Sequence, residues 1–532
     1  MNTTAQFIAY SKIGYFSKMV TDYIGNEETL QPFFAHPVSL EGIKAAIQNR
    51  KSYPTDRALL VEILKKEYQN IELTTKQKTY LEQLSDTNTF TICTAHQPNI
   101  FTGYLYFIYK ILHAVKLAEE LKEQLPENNF VPIYYMGSED ADLEELGHIY
   151  IKGEKFEWQT KQTGAVGRMK VDKDLIQLME RIGGQLSVFP HGKEIVGLIQ
   201  NCYQLGTSIE QATFKLVNGL FAEYGVLTLL PDSELVKRAF IPTMKKELLE
   251  GFSHPAVEET VKDFPSTYKA QASGREINLF YLLDGKRERI EKGGDEFSVN
   301  DTPLKFTTAE LLQELETHPQ KFSPNVILRP VLQETILPNI AFIGGGGEIA
   351  YWLELKKVFE AVAVPYPMLI VRNSFMFVSK ELQAIAQKLQ LSYTDLFKPE
   401  LALINQLVKR DSTLQLSLDK EKQQFNFFYE QLKTIAGNID VTLKIHIDAL
   451  QTQALKKITA LEKKMLSAEK KKFEAQQRQL QKLKAQLFFN NNLQERTSNI
   501  IPFYANWGND FIRMIYDNSK GLNQEFGILL EQ

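Results

Sequence analysis

The sequence predicts an α/β fold in which a doubly wound parallel sheet is followed by a C-terminal α-helical coiled coil. The apolar, β-branched stretch 89–94 (TFTICT) precedes a segment whose apolar residues recur at helical spacing, and a second apolar stretch, 131–136 (VPIYYM), comes next. Strand, helix and strand in this order form the βαβ unit of a parallel sheet. After Val378 glycine becomes rare, and Lys, Gln, Glu and Leu dominate.

Length and composition indicate a globular protein of several domains. The chain has 532 residues and a mass of 61.0 kDa, whereas one hydrophobic core rarely grows beyond roughly 250–300 residues. Hydrophobic residues make up 43% and charged residues 24%, which excludes a mostly disordered or collagen-like chain. The formal charge of -4 does not favour nucleic acid or an acidic membrane as a partner.

The cysteines and the N-terminal segment predict a cytoplasmic location. Cys93 and Cys202 are too few for a disulfide framework or a thiolate metal site. The first residues contain neither a basic region nor an unbroken apolar stretch of the kind found in signal peptides. Because no apolar run reaches the roughly 18 residues of a membrane helix, we expect no membrane partner.

The remaining elements follow in chain order. Three short amphipathic stretches predict a helical lead-in over the first 85 residues, and further strands are predicted at 226–230, 325–328, 340–343 and 367–371. Mixed patterning at 150–217 and at 244–323 predicts two insertions into the sheet. The predicted segments are 1–155 (N-terminal helices and the first half of the core), 156–323 (insertions with a core strand near 226–230), 324–377 (the second half of the core), 378–490 (the coiled coil) and 491–532 (a tail that packs on the body).

The coiled-coil prediction depends on the spacing of apolar residues. Leu, Ile, Met or Ala recur every three or four positions from 443 to 468, and positions 466, 473, 480 and 487 are seven apart. This pattern predicts a long helix that pairs with another helix. The stretch from Gln453 to Gln486 contains ten Lys or Arg residues but only three Asp or Glu residues. Such a basic stretch is typical of a solvated helical face, and binding of nucleic acid or an anionic ligand is the alternative.

Polar residues follow each of the six predicted strands. Ligands of an open parallel sheet bind beyond the carboxyl ends of its strands, so this convergence predicts an active site at one edge. The residues concerned are His96 and Gln97; Ser138, Glu139, Asp140 and Asp142; Asp232; Arg329; Gly344–Gly347 with Glu348; and Arg372 with Asn373.

The histidine and the carboxylates predict acid–base chemistry. His96 precedes a helix, where it could donate a hydrogen bond to an anion, although a loop histidine with a structural role is the alternative. Glu139 and Asp140 could accept a proton from an attacking amine or orient it, whereas helix-dipole stabilisation alone also favours acidic residues at a helix start. His148 would add a metal ligand, but no second well-spaced histidine or thiolate supports it, so no metal is predicted.

The glycine run and the arginines predict anion binding. Gly344–Gly347 are expected to adopt positive φ and to hold a nucleotide or carboxylate through backbone N–H groups, with tight strand–helix packing as the alternative. The run is neither a P-loop nor a G-x-G-x-x-G fingerprint. Arg329 and Arg372 are expected to hold carboxylates bidentately, with surface ion pairs as the alternative.

Four segments of the sequence carry a family resemblance. They are 94–121 (TAHQPNIFTGYLYFIYKILHAVKLAEEL), 131–148 (VPIYYMGSEDADLEELGH), 323–360 (SPNVILRPVLQETILPNIAFIGGGGEIAYWLELKKVFE) and 490–508 (NNNLQERTSNIIPFYANWG). In order along nearly the whole chain, these segments resemble those of the BshC family, the cysteine-adding enzymes of bacillithiol biosynthesis. They depart from the family's motifs at Ala95-His96 (for G-Q), Ala141 (for a histidine) and Gly346 (for a proline).

The resemblance implies a fold and a reaction. The fold is a Rossmann-like core with two connecting-peptide insertions, similar to class I aminoacyl-tRNA synthetases, and a coiled-coil arm that forms a homodimer. The reaction joins L-cysteine, through its carboxyl group, to the amine of glucosaminyl-malate. His96-Gln97 would take the place of the synthetase phosphate-handling motif, and the reactive thiol would arrive on the substrate.

These expectations assign roles to named residues. Because a carboxylate must be activated before an amine attacks it, ATP or another nucleotide is the expected cofactor. The alternatives are a ligase or nucleotidyltransferase that acts on a different amine, and a non-catalytic coiled-coil scaffold that only binds a ligand. The expected roles are catalysis by His96, Glu139 and Asp140; substrate binding by Gln97, Asp142, Arg329, Arg372 and Asn373; and nucleotide binding by Gly344, Gly345, Gly346, Gly347 and Glu348.

Overall fold

The computed structural model of the protein describes residues 3–272 and 274–532. The chain divides into two compact units. The first, here called the body, runs to Phe377 and resumes at Asn492, and the second, here called the arm, is Val378–Asn491. No helix among the described residues is long and apolar enough to cross a membrane.

The strands of the described residues are defined as follows. In chain order they are β1 (Thr3–Ala9), β2 (Thr89–His96), β3 (Asn129–Met136), β4 (His148–Ile151), β5 (Glu154–Glu157), β6 (Leu227–Leu229), β7 (Leu279–Leu283), β8 (Lys286–Gly293), β9 (Glu296–Val299), β10 (Lys305–Thr307), β11 (Phe322–Pro324), β12 (Asn339–Gly344), β13 (Met368–Val371), β14 (Ser374–Val378) and β15 (Glu525–Glu531).

The α-helices of the described residues alternate with these strands. They are α1 (Lys18–Ile24), α2 (Leu40–Lys51), α3 (Arg57–Glu67), α4 (Thr75–Gln83), α5 (Leu105–Gln124), α6 (Leu143–Leu146), α7 (Lys173–Leu186), α8 (Gly192–Cys202), α9 (Ile209–Phe221), α10 (Glu234–Ala239), α11 (Ile241–Glu250), α12 (Ser253–Asp263), α13 (Thr308–Thr317), α14 (Arg329–Ile336), α15 (Gly346–Trp352), α16 (Lys356–Ala361), α17 (Lys380–Lys388), α18 (Glu400–Asp411), α19 (Asp419–Ile439), α20 (Leu443–Lys470), α21 (Glu474–Leu487), α22 (Ile501–Trp507) and α23 (Asn509–Asn518).

A five-stranded parallel sheet in the order β13-β12-β2-β3-β6 forms the centre of the body. Its strands are apolar along their length rather than alternating, because helices cover both faces; Phe90, Ile92 and Cys93 of β2 are all fully buried. The α/β prediction is therefore confirmed, and β2, β3, β6, β12 and β13 occupy the predicted stretches. Since the strands are parallel, their carboxyl ends meet at one edge.

The prediction of a strand at 325–328 is wrong. The strand there is β11, which ends at Pro324, and the Asn325 side chain then accepts hydrogen bonds from the backbone N–H groups of Ile327 (2.9 Å) and Leu328 (3.3 Å). An asparagine that bonds the backbone ahead of it closes a turn. Arg329 consequently begins helix α14, with Pro330 in its first turn, rather than ending a strand.

An antiparallel sheet in the order β10-β9-β8-β7-β11 lies within the second stretch predicted to be inserted. Strands β7 and β8 are joined by a tight turn in which Gly285 has a φ of 68°. We call this sheet the inserted sheet. The 150–217 stretch is instead mainly helical, with α7, α8 and α9 following the β4–β5 hairpin.

The three amphipathic stretches of the lead-in form helices α2, α3 and α4, but the lead-in also contains a strand that was not predicted, β1, which precedes α1. Strand β1 pairs antiparallel with β15, in a register that sets Thr3 opposite Glu531. Its partner lies more than 500 residues away in sequence, so no local pattern announces the pairing. The expected packing of the tail is observed, since α22, α23 and β15 all belong to the body.

The arm contains helices α17 to α21, and α19 and α20 form a hairpin. Lys422 pairs with Glu462 and Lys433 pairs with Asp448, each at 2.6 Å. The partner positions run in opposite directions along the chain, so the two helices are antiparallel. A coiled-coil pair within one chain is therefore present, but the predicted long helix is interrupted by a 3-10 turn at Lys471–Phe473.

Candidate active site

A cleft of about 620 Å³ opens beyond the carboxyl ends of β2, β3, β12 and β13. Strand ends and the turns that follow them form one wall, and the inserted sheet forms another. The sequence-predicted residues that line this cleft are His96, Gln97, Asp140, Arg329, Gly345, Gly347, Glu348 and Arg372. The convergence predicted from the strand ends is therefore observed for eight of the residues named.

Asp140 and Arg329 form a bidentate ion pair in the cleft. The two guanidinium NH groups of Arg329 lie 3.0 and 2.6 Å from the carboxylate oxygens, and Arg287 approaches one oxygen to 3.9 Å. Burial would raise the pKa of Asp140, but Arg329, Arg287 and a hydrogen bond from Gln97 hold it at about 2. Asp140 is thus ionised and fixed in place at neutral pH.

The imidazole of His96, which lines the cleft, is uncharged at neutral pH. Its ring lies 5.3 Å from the rings of both Tyr106 and Phe107. Burial, and then the positive charges of Lys110 and Arg372, lower the pKa of His96 well below its ordinary value. A histidine with a lowered pKa is an unprotonated imidazole at neutral pH and can accept a proton.

Arg372 is held by a carboxylate from the tail. Its guanidinium donates to both oxygens of Glu495, at 2.9 and 2.7 Å, and to Ser374 Oγ at 2.9 Å. Both partners are almost completely buried, and Glu495 keeps the pKa of Arg372 above its ordinary value although burial opposes it. The guanidinium also lies 5.2 Å from the Tyr106 ring. The fork expected to bind substrate is thus engaged within the protein.

The glycine run differs from its expected form, because none of Gly344–Gly347 has positive φ. A Cβ on Gly344 would lie 2.8 Å from the Phe342 ring, and one on Gly346 would lie 2.9 Å from Val20, so close packing explains these two. Glu348 accepts from the Gly345 N–H at 2.8 Å and from the buried Lys110 ammonium at 2.6 Å. The carboxylate of Glu348 therefore already occupies part of the proposed anion site.

Several predicted site residues lie outside the cleft. Glu139 is buried and paired with Lys237, which also donates to the Phe322 carbonyl at 2.6 Å. Asp142 caps the short helix α6 by accepting from the Glu145 N–H at 3.1 Å. The side chain of the buried Asn373 accepts from the Lys520 N–H at 2.9 Å and so fixes the tail. The roles expected for these three residues are therefore not supported.

Three further predicted residues also lie outside the cleft. Gly344 and Gly346 pack inside the fold, as described above, and do not line the cleft. Asp232 follows β6 but forms a bidentate pair with Arg168, both contacts at 2.7 Å, and likewise does not line the cleft.

Residues that sequence reasoning missed make the cleft strongly basic. Arginines Arg275, Arg287, Arg289 and Arg496 line it together with Arg329 and Arg372, against three carboxylates, Asp140, Glu145 and Glu348. A signal was present in the alternating charges of β8, KRERIEK, which place Arg287 and Arg289 on one face. The excess of three positive charges among the lining residues predicts an anionic ligand.

Unpartnered polar atoms surround the same cleft. His96 Nε2, Tyr135 Oη and Arg329 Nε are buried and have no hydrogen-bond partner in the part of the chain that the structure describes. Buried polar groups are normally hydrogen-bonded, so three unsatisfied atoms on residues that line one cleft indicate a site built for a ligand. The site combines an unprotonated histidine, a fixed carboxylate and excess positive charge, which suits an anionic ligand.

Comparisons with known proteins identify the family over nearly the whole chain. The profile described as "Bacillithiol biosynthesis BshC, N-terminal Rossmann-like domain" matches residues 3–373, and that described as "Bacillithiol biosynthesis BshC, C-terminal coiled-coil domain" matches 375–531. The chain is 39% identical to the "Putative cysteine ligase BshC" of Flavobacterium johnsoniae, over 98% of this chain and 99% of that one. The proteins of that name from Christiangramia forsetii and Cytophaga hutchinsonii are each 35% identical, over 98% and 92% of both chains respectively.

Proposed function

The chain belongs to the BshC family of bacillithiol biosynthesis, and on that premise we propose that it is a ligase that joins L-cysteine to the amine of glucosaminyl-malate. The observation that carries the proposal is the presence of an unprotonated His96 in a cleft lined by arginines. Both substrates bear carboxylates, and amide formation requires a base for the proton that the amine loses.

A nucleotide fits the charge of the cleft. Six arginines against three carboxylates favour a polyanion, and the unpartnered Arg329 Nε and Tyr135 Oη offer donors. Gly345 and Gly347 line one wall of the cleft and would lie beside the phosphates. When bound, a nucleotide such as ATP would supply the group that activates the cysteine carboxyl, which is otherwise unreactive toward amines.

The chain's own residues would serve the amine. The amine nitrogen forms the new bond to the carboxyl carbon of cysteine, one carboxyl oxygen departs with the activating group, and the nitrogen loses a proton. His96 is the group whose protonation state suits it to accept that proton. Both Asp140 oxygens accept hydrogen bonds from Arg329, so its role is to orient the amine while Gln97 and Arg329 hold the carboxylate in place.

Reconstitution tests the proposed reaction. Purified protein is incubated with L-cysteine, glucosaminyl-malate and ATP, and the amide adduct is followed by mass spectrometry. We expect product only when all three are present, and none when glucosamine without its malyl group replaces the acceptor. If no nucleoside triphosphate gives product while the Flavobacterium johnsoniae relative does so under the same conditions, the proposed function is wrong.

The proposed enzyme is a homodimer formed through the arm. Phe428, Ile435 and Ile439 fall on one face of α19, and their side chains are 52%, 60% and 79% exposed. Contiguous exposed apolar residues mark interaction surfaces. The α19–α20 hairpin leaves this face uncovered within the arm itself, and a second copy of the chain would supply the partner.

A further inference from the structure

The inserted sheet presents a row of arginines to the cleft. Arg287 and Arg289 are two residues apart on β8 and therefore lie on the same face. Phe280 of β7 is directly opposite Arg289 in the antiparallel register. The guanidinium carbons of Arg287 and Arg289 lie 3.9 and 5.9 Å from the centre of the Phe280 ring. The ring therefore packs against both side chains and fixes the arginine-bearing face.

Positive charge on this wall is only partly balanced. Arg287 reaches Asp140 at 3.9 Å, and its Nε donates to Ser323 Oγ at 3.0 Å. No carboxylate oxygen of residues 3–272 or 274–532 lies within the 4.0 Å ion-pair distance of the guanidinium nitrogens of Arg275 or Arg289. The forks of Arg329 and Arg372, by contrast, are filled by Asp140 and Glu495. Apart from Arg496 of the tail, the charge available for a ligand is therefore on the inserted sheet and in the loop that leads into β7.

We propose that Arg275, Arg287 and Arg289 form a subsite for the dicarboxylate end of the amine substrate, which in the proposed function is its malyl group. This inference rests on the proposed function and moves carboxylate recognition from Arg329 and Arg372 to the inserted sheet. Arginine forks bind carboxylates bidentately, and each carboxylate of a diacid needs its own fork.

The spacing and surroundings favour a diacid over a single phosphate. Residues two apart on a strand have Cα atoms about 6.7 Å apart. Arg287 and Arg289 therefore present two separated positive charges, one for each carboxylate, rather than a single site for one phosphate. Apolar side chains of Ile277, Leu279 and Phe280 lie beside them and suit a short hydrocarbon link. Arg287 also adjoins Asp140, so an amine on the same molecule would reach Asp140 and His96.

Calorimetric titration of the full-length protein with L-malate tests the subsite without requiring catalysis. We expect Arg289→Gln to weaken malate binding about 10- to 100-fold, the effect of losing one charge-assisted bidentate contact. Arg289→Lys keeps the positive charge but not the guanidinium fork. Its affinity for malate should therefore lie between those of the wild type and Arg289→Gln. Arg289 is exposed, so circular dichroism should show an unchanged fold. In turnover assays, Arg289→Gln should raise KM for the amine substrate and leave kcat largely unchanged.

Two arginine controls and a second anion separate the explanations. Arg496→Gln removes an arginine from the same cleft but from the tail, and Arg513→Gln removes an exposed arginine elsewhere on the body. We expect either to change malate binding less than about 3-fold, since neither removes a contact of the subsite. Inorganic pyrophosphate is titrated in parallel as a phosphate probe, and Arg289→Gln should affect it less than malate.

Each outcome decides the inference. Equal loss of malate binding in Arg289→Gln and Arg496→Gln would mean that only bulk charge matters and would overturn it. It would likewise be overturned if the wild type did not bind malate, or if Arg289→Gln weakened only pyrophosphate binding. Arginine-dependent malate binding without amide product in the reconstitution would instead support the subsite and refute the proposed ligase reaction.

Discussion

At the scale of single residues, the cleft combines paired charges with one neutral base. Asp140 pairs with Arg329, and Arg372 pairs with Glu495, at donor–acceptor distances of 2.6–3.0 Å. Such pairs hold side chains in place, because breaking one leaves an uncompensated charge in a poorly solvated position. The neutral His96, in contrast, has a ring nitrogen with no hydrogen-bond partner among the described residues. The fixed charges thus define the geometry around a group that is free to react.

Replacement of the proposed base, His96→Gln, should lower kcat about 10²- to 10⁴-fold, the usual contribution of acid–base catalysis. The base must be neutral, so activity that depends on His96 falls as the pH drops through its lowered pKa and is constant above it. The pH dependence of kcat should therefore show an acidic limb in the wild type and none in the variant.

The melting temperature provides the control for this substitution. The His96 side chain makes no hydrogen bond with the described residues, so the variant should melt within a few degrees of the wild type. A variant that keeps both wild-type turnover and the acidic limb would remove His96 from the reaction.

Asp140→Asn should destabilise the body by roughly 2–4 kcal/mol, because Arg329 and Arg287 lose their carboxylate. The folded pKa of about 2 lies below the ordinary value of 3.8, so the wild-type carboxylate contributes roughly 2–3 kcal/mol above pH 4. That contribution is lost as the pH falls through about 2. Urea unfolding at neutral pH measures the loss.

Tryptophan fluorescence suits this measurement, since Trp158, Trp352 and Trp507 all belong to the body. The matched control is Glu234→Gln, which breaks the exposed pair with Arg238 and should cost less than about 1 kcal/mol. Equal losses in the two variants would show that the Asp140 pair has no special role.

Residue-scale prediction from the sequence was limited by side-chain direction. The strand-end rule named both Glu139 and Asp140, but only Asp140 lines the cleft, while Glu139 packs inward against Lys237. Consecutive residues after a strand point in different directions, and the partner that decides between them, Lys237, lies almost a hundred residues away. The side chain of Asn373 likewise has a distant partner, the Lys520 N–H, whereas Asp142 caps the helix that follows it by accepting from the Glu145 N–H.

At the scale of elements, strands were predictable where the sheet is parallel and buried. Strands β2, β3, β12 and β13 are continuous apolar runs, so their ends, and much of the cleft, could be located from the sequence. The inserted sheet could not be placed, since β8 is largely polar and its position depends on pairing with β7. Its arginines were consequently missed.

The tail element is expected to depend on one ion pair. Glu495→Gln leaves the buried Arg372 without its bidentate partner and should destabilise the body by about 3–5 kcal/mol. It should also increase proteolytic cleavage near residue 492, where the chain re-enters the body. Unfolding followed by tryptophan fluorescence and timed proteolysis measure the two effects.

A surface pair on the same tail is the control for Glu495. Asp517→Asn breaks the exposed contact with Arg513, which is 3.8 Å long, and should change stability by less than about 0.5 kcal/mol. If Glu495→Gln were as mild as Asp517→Asn, the tail would be held by its apolar contacts alone.

At the scale of the whole molecule, the arm should determine the oligomeric state. The double variant Phe428→Ser with Ile435→Ser removes apolar area from the exposed face of α19 and should shift a dimer to monomer. Light scattering after size exclusion measures the mass. The variant side chains are exposed and form no part of the cleft, so folding of the body should be unchanged.

A control on the arm tests whether the face matters. Leu401→Ser alters an apolar side chain on α18 that is 64% exposed, and it should leave the mass unchanged. A wild-type protein that is already monomeric at micromolar concentration would refute the proposed dimer. The sequence pattern predicted the coiled coil but could not separate pairing within the chain from pairing between chains, because both bury the same seam.

The buried pair between Arg372 and Glu495 also imposes an order on the translation and folding of the chain. The two residues flank the arm, whose residues 378–491 must be translated between them. At about 5–20 residues per second, the ribosome needs roughly 6–23 s to make the arm. During that time Arg372 lacks its carboxylate and β1 lacks its partner β15. The cleft is therefore completed only after the tail has left the exit tunnel of the ribosome.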